Sequence, residues 1–180
     1  ISKALDLLRD GLRPKCEETW NGFFGDDWLN VVNGRMHNPE SNPTTADVAF
    51  LFKGMKTTWN DVFGHGFPPA IRSLVFELSD VRNTWAHQGA FSTDDTVRAL
   101  DSMERVLDAF GNLEERQGIR TLRRDLMRQM FDEESRSERR KTAAKPTEGQ
   151  PQAGLTPWRE IITPHADVAS GRFDQAEFAA

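Results

Sequence analysis

Tyrosine is absent from this chain, cysteine occurs once, and no apolar run reaches the roughly 18 residues of a membrane-spanning helix. The missing run argues against membrane insertion. The lone Cys16 cannot close an internal disulfide, as expected of a protein kept in a reducing cytoplasm. Cys16 reads as a half-buried helix residue rather than a reactive thiol. The lack of tyrosine carries no functional implication. Also missing are a P-loop, any other glycine-rich phosphate cradle and a nucleophile elbow. His37, His65 and His165 are scattered without metal-ligand spacing, so neither a metal nor a cofactor is expected. An excess of basic charge is lacking as well. The net charge of −5 argues against a generally basic nucleic-acid binder while leaving room for a local basic patch. The chain opens at Ile1 with neither methionine nor a signal-peptide pattern, so it is expected to start inside a longer gene product.

What is present is enough for one core with an appendage: 180 residues, 37% of them hydrophobic. The periodicity is helical throughout, with no convincing period-two segment and no internal repeat. Leu5, Leu8 and Leu12 predict a first helix from Ile1 to Trp20, with Ser2 as N-cap and Pro14 as a point of interruption or restart. Trp28, Leu29, Val31 and Val32 suggest a short element, and residues 33–42 a loop. A second long helix is expected from about Thr44 to Asp47 onward, on the stripe Val48, Leu51, Phe52, Met55, Trp59 and Val62. A third runs from Ala70 to about His87, stopped by Gly89. A fourth follows a Ser92 or Thr93 cap, with Asp94 and Asp95 in its first turn and Val97, Leu100, Met103, Val106, Leu107 and Phe110 as its apolar face.

Beyond Asn112 charge dominates. Residues 113–141 keep a helical rhythm through Leu122, Leu126, Met130 and Phe131, while Arg120, Arg123, Arg124, Arg128, Arg136, Arg139, Arg140 and Lys141 alternate with acids. This reads as a solvated helix laced by ion pairs in preference to an RNA-contacting stripe. Residues 142–156 have linker composition, and 157–180 form a separate tail in which Trp158 and His165 are candidates for docking.

The third helix concentrates the chemistry. At about 100° per residue, Ile71, Leu74, Val75, Leu78, Val81 and Trp85 share one face, while Ser73, Glu77, Asp80, Asn83, Thr84 and His87 spread over the other. Asn83 and His87 are neighbours four residues apart. Arg82 falls at the edge of the apolar stripe and needs a carboxylate or a route to water, with Glu77, Asp80 and acids on other helices as candidates. Arg82 and His87, five residues apart, lie about 140° apart on an ideal helix. They do not converge on one atom within a protomer. A frayed last turn or a two-fold related copy would bring such groups together.

Arg82, followed by the polar Asn83 and, after four intervening residues, by His87, resembles the signature of the HEPN superfamily. The wider stretch from Leu74 to Gln88, with Phe91-Ser92-Thr93-Asp94-Asp95 and Ala99-Leu100-Asp101-Ser102-Met103-Glu104-Arg105, looks like the Swt-type subfamily, a likeness covering roughly residues 1–112. The tail from Pro157 to Ala180 is similar to the segment before the ATPase core of a large bacterial ATPase family. Members of that family carry such a module at the N-terminus and occur in phage-defence loci.

The resemblance implies an all-α, up-and-down helical bundle over residues 1–112. The charged helix 113–141, a flexible linker 142–156 and the tail 157–180 then lead to a downstream ATPase of the same polypeptide. It also implies a homodimer acting on RNA in the cytoplasm. Active HEPN proteins are metal-independent endoribonucleases: the ribose 2′-hydroxyl attacks the adjacent phosphate, leaving a cyclic phosphate and a 5′-hydroxyl. Histidine can move the proton and arginine can stabilise the phosphorane oxygens. Arg82, Asn83 and His87 are therefore the candidate catalytic residues, with Asn83 orienting His87 or binding phosphate. The alternative is a non-catalytic dimerisation or interaction module regulating the ATPase. In it Arg82 holds an inter-helix ion pair, and His87 caps a helix C-terminus where positive charge is favourable.

Overall fold

Six helices in chain order make up the described residues, and no strand occurs among them. The computed structural model describes residues 1–143. The helices are α1 (Ser2–Phe24), α2 (Trp28–Arg35), α3 (Val48–Thr58), α4 (Pro69–Ala86), α5 (Thr93–Ala109) and α6 (Leu113–Ala143), and a single π turn, Trp59–Phe63, extends α3. Ile1–Glu133 form one compact unit, and Glu134 begins a second. The tail carrying Trp158 and His165 lies outside the described residues. In the first unit α1 packs against α2, α3 and α5, α3 against α4, and α4 against α5. No helix among the described residues is long and apolar enough to cross a membrane.

The first helix continues through Pro14 and reaches Phe24, so neither an interruption nor a restart occurs. Leu5, Leu8, Leu12, Cys16 and Trp20 are all buried on one stripe. Burying large side chains contributes about 1.5–3 kcal/mol each, which together outweighs the roughly 3 kcal/mol cost of an internal proline. Pro14 and Asp10, whose carbonyl loses its partner, both face solvent. The N-cap is Ile1 without a side-chain cap, in place of the expected Ser2. Burial pushes the Cys16 thiol well above the usual range, so it is a core residue.

The expected loop 33–42 begins later, because α2 runs on through Asn33-Gly34-Arg35. Asn33 then ties the loop down: its amide donates to the Glu40 carbonyl at 2.9 Å and accepts from the Glu40 N–H at 2.8 Å. The following helix starts at Val48, with the Asp47 carboxylate as N-cap accepting from the Ala49 N–H at 2.8 Å.

Trp20 joins α1 to α3. A Cβ added at Gly54 would lie 2.8 Å from the Trp20 ring and 3.0 Å from Val32, so the indole occupies the space a side chain would take. Its N–H donates to the Thr58 hydroxyl at 2.9 Å, and that hydroxyl donates to the Gly54 carbonyl at 2.8 Å. Trp28 stacks on Trp20 at 5.6 Å, and Phe63 meets it edge-on at 5.7 Å.

Helix α5 starts as expected, with a capping box formed by Ser92 and Asp95. Hydrogen bonds from the Ser92 hydroxyl and backbone N–H hold the Asp95 carboxyl below its ordinary range. The first turns of α6 are more than a solvated face. Ile119 is fully buried and Leu122 and Leu126 pack on the core. Arg120 pairs with Glu104 at 3.5 Å and Arg123 with Glu104 at 3.0 Å, and Arg116 and Arg123 also reach Asp108 and Asp101. Two of the alternating arginines, Arg120 and Arg123, and Arg116 before them thus meet acids of α5.

Gly54→Ala is expected to destabilise the protein by about 1–3 kcal/mol through overpacking against Trp20. Thr58→Val is expected to cost about 1–3 kcal/mol by orphaning the indole N–H. Urea unfolding midpoints check both, and wild-type stability in either variant would contradict the wedge.

Candidate functional site at the end of the fourth helix

Helix α4 begins with Pro69 in its first turn, where a missing N–H costs nothing. Its buried stripe is Ile71, Leu74, Val75 and Leu78, as the spacing predicts, with Ser79 also buried. The stripe then ends early. Val81 is only half-buried, Trp85 is 42% exposed, and every residue from Asn83 to Ala90 is exposed. Val81 and Trp85 are therefore not core residues. The helix keeps its phase, but its last turn outruns the side chains that cover the earlier ones.

A Schellman motif closes this turn. The Gln88 N–H donates to the Trp85 carbonyl at 3.0 Å, and the Gly89 N–H to the Thr84 carbonyl at 2.8 Å. The left-handed residue is Gln88, at φ 57°, whereas the glycine pattern points to Gly89. Gly89 is needed for another reason: a Cβ there would meet the Thr84 carbonyl oxygen at 2.9 Å. His87 is the C-cap, at φ −89° and ψ 15°, its N–H donating to the Asn83 carbonyl at 3.0 Å. The backbone of the candidate histidine is thus fixed by the residues that follow it.

Arg82 finds its carboxylate on another helix. One guanidinium nitrogen donates to both oxygens of Asp47, at 3.5 and 3.4 Å. Glu77 and Asp80 are not its partners: Glu77 accepts from Arg98 at 3.0 Å, and both acids line a groove of about 450 Å³ with Val81, Thr84, Phe91 and Asp95. The Arg82–Asp47 contact is longer than a strong charge-assisted bond of roughly 2.7–2.9 Å. The Arg82 side chain keeps 25% of its surface and Asp47 45%, so water weakens the pair further. Ser2, Asp6, Arg9 and Trp85 share with Arg82 and Asp47 a small cavity of about 130 Å³. Arg9 is committed within it, to Asp10 at 2.8 Å and Asp6 at 3.1 Å.

The three candidate residues thus lie within one helical turn and a cap, but no side-chain hydrogen bond joins Arg82, Asn83 and His87 among the described residues. Asn83 and His87 point into solvent, and Arg82 is held at the flank. Two groups in this place escape a reading of the sequence. Asp47 is visible there as a residue near a helix start, but nothing in the pattern pairs it with an arginine 35 residues on. Arg9 looks like any charged position of α1. Among the described residues no cluster of three His, Cys, Asp or Glu side chains could hold a metal ion.

The profile of the Swt1-like HEPN family matches residues 3–111, a stretch that contains the whole of α4 and its cap. The chain belongs to that family. No curated protein and no solved structure matches it. The matched stretch runs from α1 to α5, and the Arg82–His87 segment lies in it at the end of α4.

Two expectations follow. Asp47→Asn keeps the N-cap of α3 and removes only a solvent-weakened charge pair, so it is expected to cost less than about 0.5 kcal/mol, whereas Asp47→Ala also loses the cap and costs about 1 kcal/mol. Equal losses in denaturant melts would show that the ion pair dominates. Gln88→Gly relieves a left-handed side chain at some cost in chain entropy, for a net gain of roughly 0.5 kcal/mol, while the β-branched Gln88→Val loses about 1 kcal/mol. The opposite order of melting temperatures would contradict the assignment of strain to Gln88.

Proposed function

We propose that this HEPN domain is a metal-independent endoribonuclease module whose site is completed by a second copy of the chain. The observation that carries the reading is the end of α4: Asn83 and His87 exposed on a fixed backbone, beside an Arg82 held only by a long contact to Asp47. In the reaction, His87 of one copy accepts the proton of the ribose 2′-hydroxyl as that oxygen attacks the neighbouring phosphate. The protonated His87 of the other copy delivers a proton to the departing 5′-oxygen. Arg82 donates to the non-bridging phosphate oxygens, on which charge builds up, and Asn83 orients the imidazole or the phosphate. A two-fold arrangement supplies both a base and an acid from one residue type, which a single chain with one such histidine does not.

In this reading the domain works in the cytoplasm, attached through the charged helix, linker and tail to a downstream ATPase of a phage-defence system. A second reading is favoured by the Arg82–Asp47 contact, which ties α4 to the start of α3 as a structural ion pair would. The domain would then be a non-catalytic dimerisation or interaction module controlling the ATPase.

Cleavage of single-stranded RNA in the presence of a chelator separates the two. The ribonuclease reading expects cyclic-phosphate ends with wild type and a loss of at least about 100-fold with His87→Ala, the scale of a missing general acid–base group. Equal cleavage by both proteins, or none by either, rejects it. The interaction reading expects Arg82→Ala to lower oligomeric mass or melting temperature while RNA is untouched.

A further inference from the structure

Five large apolar side chains are open to water among the described residues, and one of the three aromatic ones has an unusual setting. Phe23, Trp85 and Phe131 are the extensively exposed aromatic side chains among the described residues. Trp85 lines a cavity with two guanidinium groups, those of Arg9 and Arg82. It lies three residues after Arg82, on the same side of α4 and about one turn further on, and two residues before the His87 cap. An indole normally buries most of its 150–250 Å² or so. Here 42% of its surface stays open although the helical phase aligns it with Leu78 in the buried stripe.

The charges around it limit what can bind. Arg9 and Arg82 are matched in the cavity wall by Asp6 and Asp47, so the ionised groups lining it sum to zero. A ligand recognised mainly by its negative charge gains little there. A flat, uncharged aromatic ring gains from both the indole face and the adjacent guanidinium planes, which stack on nucleobases irrespective of sequence.

We propose that Trp85 is the base-binding residue of this module, stacking on an unpaired base of single-stranded RNA next to the phosphate that reaches Arg82. The inference rests on the ribonuclease reading for its substrate and adds the residue that holds it. Stacking draws one base out of the strand, which frees the sugar–phosphate link beside it to adopt the geometry that 2′-oxygen attack requires. Because stacking supplies the affinity, binding depends weakly on salt: the slope of log affinity against log salt concentration is shallower than about −1, little more than one released counterion.

The test is binding of a fluorescent single-stranded 2′-O-methyl oligonucleotide, which cannot be cleaved, to the full chain. Trp85→Ala is expected to weaken binding by roughly 5- to 150-fold, the range for loss of one base–aromatic stack, and Trp85→Phe to retain most of it. Oligonucleotides carrying abasic sites are expected to bind wild type as weakly as the intact strand binds Trp85→Ala. That arm needs no variant, so it decides the matter even if Trp85→Ala fails to fold. Unchanged affinity for the abasic strands overturns the proposal. So does a salt slope of about −2 or steeper, or a Trp85→Ala protein that binds RNA normally and loses only its oligomeric mass, which would make Trp85 a protein contact. The ribonuclease reading is judged separately by cleavage with His87→Ala, since loss of the imidazole leaves stacking on Trp85 intact.

Discussion

The wedge of Trp20 against Gly54 is the constraint on which the rest of the bundle depends. The indole occupies the space of a missing side chain, and its N–H is satisfied by Thr58, itself bonded to the Gly54 carbonyl. A buried N–H without a partner would cost about 1–3 kcal/mol, so α1 and α3 meet in one register. Trp28 and Phe63 then pack on the same ring, which places α2 and the π turn after α3. Once α3 is fixed at that end, its other end presents Asp47 beside α4, and the position of Arg82 follows.

The candidate site is built where this order runs out. Along most of α4 the buried stripe carries the helix, and in the last turn a backbone motif replaces packing. The Gln88 and Gly89 hydrogen bonds end the helix without covering it. Asn83, Trp85 and His87 can therefore be both positioned and accessible, which a reactive site needs and a core position cannot provide.

Charge is distributed to match. Arginines of α6 are met by Asp101, Glu104 and Asp108 of α5, and Arg9 by Asp6 and Asp10. Arg82, unlike Arg9 and Arg123, has only a long contact: a single nitrogen reaches a carboxylate already engaged in capping α3. Under the ribonuclease proposal, an incoming phosphate would compete with a long, half-solvated pair rather than with a tight fork.

The sequence by itself determined the helical class, the approximate extent of α4 and α5, a cap at Ser92 or Thr93 and most of the buried stripes, because these follow from a 3.6-residue period and from groups a few residues apart. It also carried the family, through the segment from Leu74 to Gln88. It could not show that α1 would run through Pro14, because the cost of the proline is local and the burial that offsets it is not. Nor could it show that the stripe of α4 would lose its cover at Trp85, or that Arg82 would turn to Asp47 instead of Glu77 or Asp80. Phase along a helix says which side chains share a face, and only the neighbouring helices decide where that face stops being covered and which charge stands opposite it.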